Sequence, residues 1–372
     1  MKNIKKIRKL LRSPGVFFRD YFDSRYPLVV NEIGCPKNDE GILVRHDIEF
    51  EKLIKNTLKI DVVFTWVNDD DPVWLEKKQK ATQSLNGVET GRYATDRARF
   101  SNHDELRYSL YSVQKFMPWV NCIYVVTDKQ CPSWLVPNEK LRVIDHEEII
   151  PRNYLPTFNS HVIEAYLHLI PGLCENFIYF NDDVFVAQAL SPEHFFSSNG
   201  LASLFLSKKS LRAMELNGLI TPTLSASLRS AQLLKGTELN DQIDRPLVHT
   251  YIPLKKSVYF LAWEKYGPSI ENFLNNRFRG VNDLNMASFL VPWLMYIQGK
   301  ATLKRDICHY FNIRSPAAQR NYRILLEAKP FSLPHSFCAN DFFAVDDRGT
   351  EKDSLQKALQ RYYEIDLSSG TI

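Results

Sequence analysis

Apolar and polar positions follow two rhythms along this chain. Residues 60–67, Ile-Asp-Val-Val-Phe-Thr-Trp-Val, form a nearly unbroken apolar run that stops at Asn68-Asp69-Asp70-Asp71-Pro72. Such a run predicts a strand buried on both faces that ends in a polar turn. Residues 121–128 and 141–146 repeat the pattern, and residues 176–186 form a longer run broken by Asn181, Asp182 and Asp183. Between these runs the period lengthens to that of helices. Residues 73–85 read as helical, and over residues 104–116 Leu106, Leu110 and Val113 share a face. Asp104 is a candidate N-cap for that second helix, and Pro118 lies just beyond its end. Further helices are expected around residues 160–169, closed by Pro171-Gly172, and over the apolar residues 282–297. Residues 337–345 repeat the theme of apolar residues flanking Asn-Asp, as a late strand returning to the site. Alternating strands and helices predict an α/β fold with a mostly parallel sheet covered by helices on both faces.

Ligands of open α/β sheets bind beyond the carboxyl ends of the strands. Here those ends read Trp66-Val67-Asn68, Thr127-Asp128, Asp145-His146 and Asn181-Asp182-Asp183, all of them polar. At the N-terminus, Ile4, Ile7, Leu10 and Leu11 fall on one helical face with Lys and Arg opposite, up to Pro14. Such a segment either lies on an anionic membrane surface or packs on its own domain. Residues 1–58 are therefore expected to be a basic amphipathic and accessory segment. Residues 59–346 are expected to be a catalytic domain, with an irregular, helical insertion at about 190–280, and residues 347–372 a C-terminal helix and tail.

The chain has 372 residues, 44% of them apolar and 24% charged, with a formal charge of +4. These values exclude a disordered or fibrous chain. No apolar run reaches the roughly 18–20 residues that span a bilayer, and the N-terminus lacks the apolar stretch of a secretory signal. The six cysteines lie scattered with no C-x-x-C pair, as expected of free thiols in a reducing cytosol. No basic stripe with interleaved aromatics points to nucleic acid. The glycine-rich signatures of P-loop and dinucleotide-binding folds and the serine elbow of α/β-hydrolases are all missing.

Asp182 and Asp183 are the strongest candidates for chemistry. Two carboxylates inside an apolar run are costly to bury unless they hold a cation or accept hydrogen bonds. Oxygen ligands of this kind suit Mg²⁺ or Mn²⁺. Asn340-Asp341 has the same character but also fits a turn. Arg277 and Arg279 could clamp phosphate or form a solvated basic loop. His249 stands alone before an extended basic stretch, and His161 and His168 fit a packing role.

The blocks at residues 60–68, 104–110 with 123–128, 155–160 with 177–184, and 338–341 together resemble the Stealth family. That family includes bacterial capsule-polymer sugar-1-phosphate transferases and the animal lysosomal-enzyme GlcNAc-1-phosphotransferase. The resemblance covers about residues 60–345 and implies a glycosyltransferase-A-like core, a nucleotide-sugar donor (UDP-sugar) and a divalent cation. It implies attack by an acceptor hydroxyl on phosphorus, so that a phosphodiester forms and UMP leaves. The expected acceptor is a capsular oligosaccharide or a lipid-linked one, and together with the basic segment at residues 1–25 the expected setting is cytoplasmic and peripheral to the inner membrane, with capsule-assembly proteins as candidate partners. Carried over block by block, Asp61, Thr65, Trp66, Asn68, Arg99, Asp104, Glu105 and Arg107 are implied to bind the donor nucleotide, with Asp61 at the nucleotide end of the first strand. Asp182, Asp183 and Asp341 are implied metal ligands. His249, Arg279 and Asp283 resemble family positions between the third and fourth blocks, although Tyr251 stands where a His-x-Pro run is expected. His249 is the candidate general base, with Asp183 or Asp341 as rivals, and Arg279 the candidate clamp on the transferring group. Asn340 accompanies Asp341.

Overall fold

The computed structural model describes residues 10–12, 14–25, 37–83, 100, 102–218, 221–235, 243–328, 333–341 and 351–365. Arg99, Ile4, Ile7 and Cys35 lie outside these residues.

The centre is a five-stranded sheet. Its strands are β1 (Ile60–Thr65), β2 (Ile123–Thr127), β3 (Leu141–Asp145), β4 (Asn176–Asn181) and β7 (Ile252–Lys255), in the order β3-β2-β1-β4-β7. β1 runs parallel to β2 and β4, and β2 parallel to β3, whereas β7 runs antiparallel to β4 at the edge. Val62, Val63, Phe64, Phe177, Ile178 and Phe180 are all fully buried, as strands covered on both faces require. Each such side chain contributes about 1.5–3 kcal/mol. The Glu105–Phe116 helix buries Leu106, Leu110 and Val113, the face read from their spacing.

The fourth apolar run is not one strand. Asp182 and Asp183 turn the chain out of β4 into β5 (Val184–Val186), which belongs to a second sheet. That sheet also holds β9 (Cys308–Asn312) and β10 (Ser336–Asn340), in the order β5-β10-β9. β10 is antiparallel to β5 and parallel to β9, so the late strand does return to the acidic pair. The Glu351–Tyr363 helix packs Leu355, Leu359 and Tyr363 with Phe185 and Phe337 over this sheet.

Residues 190–280, expected to be an irregular helical insertion, are more integral than that. They supply β6 (Ala202–Leu204), which pairs with β8 (Ala301–Leu303), and also the edge strand β7. Pro253 sits within β7, which an edge strand tolerates because one side of it carries no ladder. Within residues 1–58, expected to be a basic amphipathic and accessory segment, lies a helix at Lys37–Glu51 that buries Glu40 and Val44. No described helix is long and apolar enough to cross a membrane.

Candidate active site

The polar residues gather where β1, β4 and β10 end. Asp183 is held from β10: Asn340 Nδ2 donates to its Oδ2 at 2.7 Å and Cys338 Sγ lies 3.3 Å from the same oxygen. Its Oδ1 is buried with no hydrogen-bond partner among the described residues and lies 3.8 Å from His249 Nε2. The register explains this approach. Tyr179 pairs with Ile252 at the end of the antiparallel ladder, so the residues that follow β4 and those that precede β7 leave the sheet beside each other. The imidazole rests edge-on against Tyr310 and keeps 45% of its side-chain surface exposed.

Glu105 completes an acidic cluster. It opens the Glu105–Phe116 helix, and its Oε2 accepts the His103 backbone N–H at 2.7 Å. Burial raises its carboxyl well above the ordinary range, and the charges of Asp182 and Asp183 add to that. Burial and the neighbouring Asp183 push Asp182 up to about 7. Burial also works to raise Asp183, but the His249 imidazole and the Asn340 and Cys338 donors bring it below the usual carboxylate range. Adjacent buried carboxyls with pKa values driven apart mark a site arranged for a cation or for proton transfer.

The remaining predicted residues fall into three places. Thr65 Oγ1 lies 2.9 Å from Tyr179 Oη, which contacts Asn181 Oδ1 at 3.1 Å. Arg279 stands close enough to the Glu164 and Asp283 carboxylates for their charges to act on it, and its Nη2 and Nη1 donate to Ser160 at 2.6 Å and Thr223 at 3.0 Å. Asp283, fully buried, accepts from Asn159 (2.9 Å) and Asn276 (2.7 Å) and lies 2.8 Å from His161 Nδ1. It therefore secures the loop that carries Arg279. Gly280 belongs to the same knot, since a Cβ there would collide with the Asn276 amide.

Asn68 joins β1 to its neighbours: its main chain exchanges hydrogen bonds with Gln130 at 2.8 and 2.9 Å, and its Oδ1 accepts from Asn102 at 3.2 Å. Trp66 is buried in the core. Beside this point a cleft of about 630 Å³ is lined by Asp69, Asp70, Lys78, Gln79 and Gln83, and Lys78 covers the ring of Phe100. Arg107 lies near Asp104 and Trp134, and its Nε and Nη2 are buried without a partner among the described residues.

Three expectations need correction. Asp61 does not reach the carboxyl end of β1. It sits near the strand's start, where it accepts Asn121 Nδ2 and the Cys174 backbone N–H, both at 2.7 Å, and ties β1 to its neighbours' entry loops. Asp104 occupies the N-cap position with a left-handed backbone (φ 69°) and no side-chain cap; its Oδ1 accepts Trp134 Nε1 at 3.1 Å instead. Asp341 is not available to a cation, because Arg314 grips both its oxygens and His103 Nε2 lies 2.8 Å from Oδ2. His103 and Arg314 carried no sequence signal; they are recognisable only through the contact with Asp341.

Residues 58–85 match the profile "Stealth protein CR1, conserved region 1", and residues 99–204 match "Stealth protein CR2, conserved region 2". The capsular polysaccharide phosphotransferase LcbA of Aeromonas hydrophila is 59% identical over 91% of this chain and 94% of its own length. The chain belongs to the Stealth family. A capsular polysaccharide phosphotransferase of Neisseria meningitidis serogroup B is 49% identical over 98% of this chain and 99% of its own. Among solved structures, the galactosyltransferase LgtC is 11% identical, covering 80% of this chain and 95% of that one, with a TM-score of 0.39. The Stealth profiles take in β1, the acidic helix start at Glu105, and the Asp182-Asp183 corner; His249, Arg279 and Asn340 lie beyond them.

Proposed function

We propose that this Stealth protein transfers a sugar 1-phosphate from a UDP-sugar to a hydroxyl of a growing capsular oligosaccharide or of a lipid-linked acceptor. The acceptor oxygen bonds to the sugar-bearing phosphorus, the bond from that phosphorus to the UMP oxygen breaks, and a phosphodiester remains. The observation that carries this reading is the Glu105–Asp182–Asp183 carboxyl cluster with His249 at 3.8 Å from Asp183. Asp183 Oδ1 is buried without a hydrogen-bond partner among the described residues, and the carboxylate oxygens gathered there suit Mg²⁺ or Mn²⁺, with His249 Nε2 and Cys338 Sγ beside them. When bound there, the ion would offset phosphate charge and make phosphorus more electrophilic.

The chain's own side chains account for the rest. His249, exposed on its outer side, takes the acceptor proton on Nε2, and the Asp183 carboxylate beside it stabilises the imidazolium that forms. Arg279, pre-set by Ser160 and Thr223, offers a planar guanidinium to the transferring phosphate. Arg107 supplies the unfilled donors of Nε and Nη2 to the donor diphosphate. The cleft beside Asn68 has the volume of a nucleotide site. Arg99 remains a proposed donor-nucleotide contact. Asn340 positions Asp183. With a panel of UDP-sugars, Mg²⁺ and capsule oligosaccharide, the nucleotide released should be UMP; release of UDP would mean ordinary glycosyl transfer.

The proposed setting is the cytoplasmic face of the inner membrane, among other capsule-assembly proteins. On the Pro14–Arg25 helix Phe18 and Phe22 are 50% and 55% exposed, and Leu11 ahead of it 77%. Aromatic and leucine side chains of this kind anchor interfacial helices. Removing residues 1–25 should abolish sedimentation with anionic vesicles and leave turnover of a soluble acceptor intact. Unchanged sedimentation would remove the membrane role.

A further inference from the structure

A second cluster of ligating side chains lies away from the acidic corner and has no part in the proposed reaction. His194 comes from the short Pro192–Phe195 helix, Asp306 from the turn leading into β9, and His335 from the residue before β10. The three are 2%, 1% and 7% exposed. We propose that His194, Asp306 and His335 form a buried site for a Zn²⁺-class divalent cation that clamps these three segments together.

The hydrogen bonding of the cluster crowds one carboxylate oxygen and leaves the other empty. Ile307 donates its backbone N–H to His335 Nδ1 at 3.1 Å, which makes that nitrogen a lone-pair acceptor. The same Nδ1 lies 2.9 Å from Asp306 Oδ1, itself an acceptor. Were Nδ1 protonated toward Asp306, the Ile307 N–H would face another N–H. His194 Nε2 adds a third atom at 3.1 Å from Oδ1, and Tyr251 Oη lies 2.9 Å from both. All these contacts crowd one oxygen, while Asp306 Oδ2 is buried with no hydrogen-bond partner among the described residues. A cation held by the two imidazole nitrogens and the carboxylate would relieve the crowding at Oδ1 and give the unpartnered Oδ2 a partner, with His335 Nδ1 turning its one lone pair from the Ile307 N–H to the metal.

The donor set selects the metal class. Two imidazole nitrogens and a carboxylate oxygen suit zinc, whereas the carboxylate-rich corner at Asp182 and Asp183 suits magnesium. Four-coordinate zinc spaces its ligand atoms about 3.3 Å apart, so the two N···O separations of 2.9 and 3.1 Å need to open by only a few tenths of an ångström. Tyr251 Oη stands where a fourth ligand or its hydrogen-bonded water would lie. Phe195 and Phe205, in ring contact with His194 at 5.0 and 5.1 Å, form an apolar shell. Glu40, from the Lys37–Glu51 helix, is buried with both oxygens unpartnered among the described residues and faces Arg305, Lys208, His335 and Asp306. Its charge offsets those of the neighbouring bases. The consequence for the fold is anchorage of β10, whose far end places Asn340 on Asp183.

The test uses the full chain, expressed with zinc supplementation, purified without metal-affinity resin and dialysed before elemental analysis. Wild type and Asp182→Asn should retain about one zinc per chain, and His194→Gln and His335→Gln should retain almost none. Cobalt-reconstituted wild type should show visible ligand-field bands of a four-coordinate N/O site, and a strong chelator should lower its Tm. These wild-type readings decide the matter even if the variants fold poorly. Wild type that retains neither zinc nor cobalt, with a Tm indifferent to chelator, would overturn the proposal. So would undiminished zinc in folded His194→Gln and His335→Gln.

Discussion

His249→Ala should lower turnover at saturating donor by about 10²–10⁴-fold, the usual worth of a positioned general base. The donor KM should change little, because in the proposed reaction His249 serves the acceptor hydroxyl, and no contact joins it to the described residues of the cleft beside Asn68. Stability should fall only modestly: the ring is 45% exposed and packs edge-on against Tyr310, but the Asp183 carboxylate loses the imidazole 3.8 Å away that favours its charged form. The comparison that matters is His249→Ala with pre-bound donor in a single turnover, which separates proton removal from binding. Near wild-type single-turnover rate would take His249 out of the chemistry and pass the role to Asp183, its rival within the same cluster.

Asp182→Asn should abolish most activity, by about 10²-fold or more, and yet stabilise the metal-free protein. Asp182 titrates near 7 in the folded chain because it is buried beside Asp183, against an ordinary value of 3.8. A carboxyl with a raised folded pKa binds its proton more tightly in the native state. Native stability therefore falls as pH rises from about 4 toward 7, and the deficit persists above 7. Glu105, raised by burial and by the same two aspartates, acts in the same direction. The side-chain amide introduced by Asp182→Asn carries no charge, so the Tm of metal-free protein at pH 8 should rise by a few degrees, on the order of 1–2 kcal/mol. The difference from wild type should shrink toward pH 4, and Mg²⁺ should raise the wild-type Tm more than that of the variant. A variant with wild-type activity, or one whose Tm at pH 8 falls, would contradict the cation reading of this corner.

Much of this arrangement is visible in the hydrophobic pattern. Buried parallel strands have to be apolar throughout and can become polar only at their ends, so Asn68, Asp128 and the Asp182-Asp183 corner stand out without a structure. The identity of the fourth run as two strands does not, because a turn of two aspartates inside Phe-Ile-Tyr-Phe and Val-Phe-Val keeps the same apolar content. Asp61 shows a related limit. Motif membership says that the residue is used, but only the register reveals that it serves the opposite end of β1. His249 reaches Asp183 through antiparallel pairing of β7 with β4, a contact across dozens of residues with no local signal. The same holds for Asp341, whose partners His103 and Arg314 come from distant segments. The Lys37–Glu51 helix is hidden by the turn signals Asn38 and Gly41. A helical glycine costs about 1 kcal/mol, and tertiary burial of Val44 and Glu40 overrides it. His194, Asp306 and His335 have no ligand-like spacing at all, since they are 112 and 29 residues apart and meet only through the fold.

The most direct test of the central claim is the phosphorus NMR spectrum of the polymer made by the purified chain from a UDP-sugar and a capsule oligosaccharide. Attack at phosphorus leaves the sugar's own phosphate in the product. The account predicts a new phosphodiester resonance that grows in step with chain length and couples to protons of both flanking sugars. A polymer that lengthens with no phosphorus signal would place the attack at the anomeric carbon and contradict it.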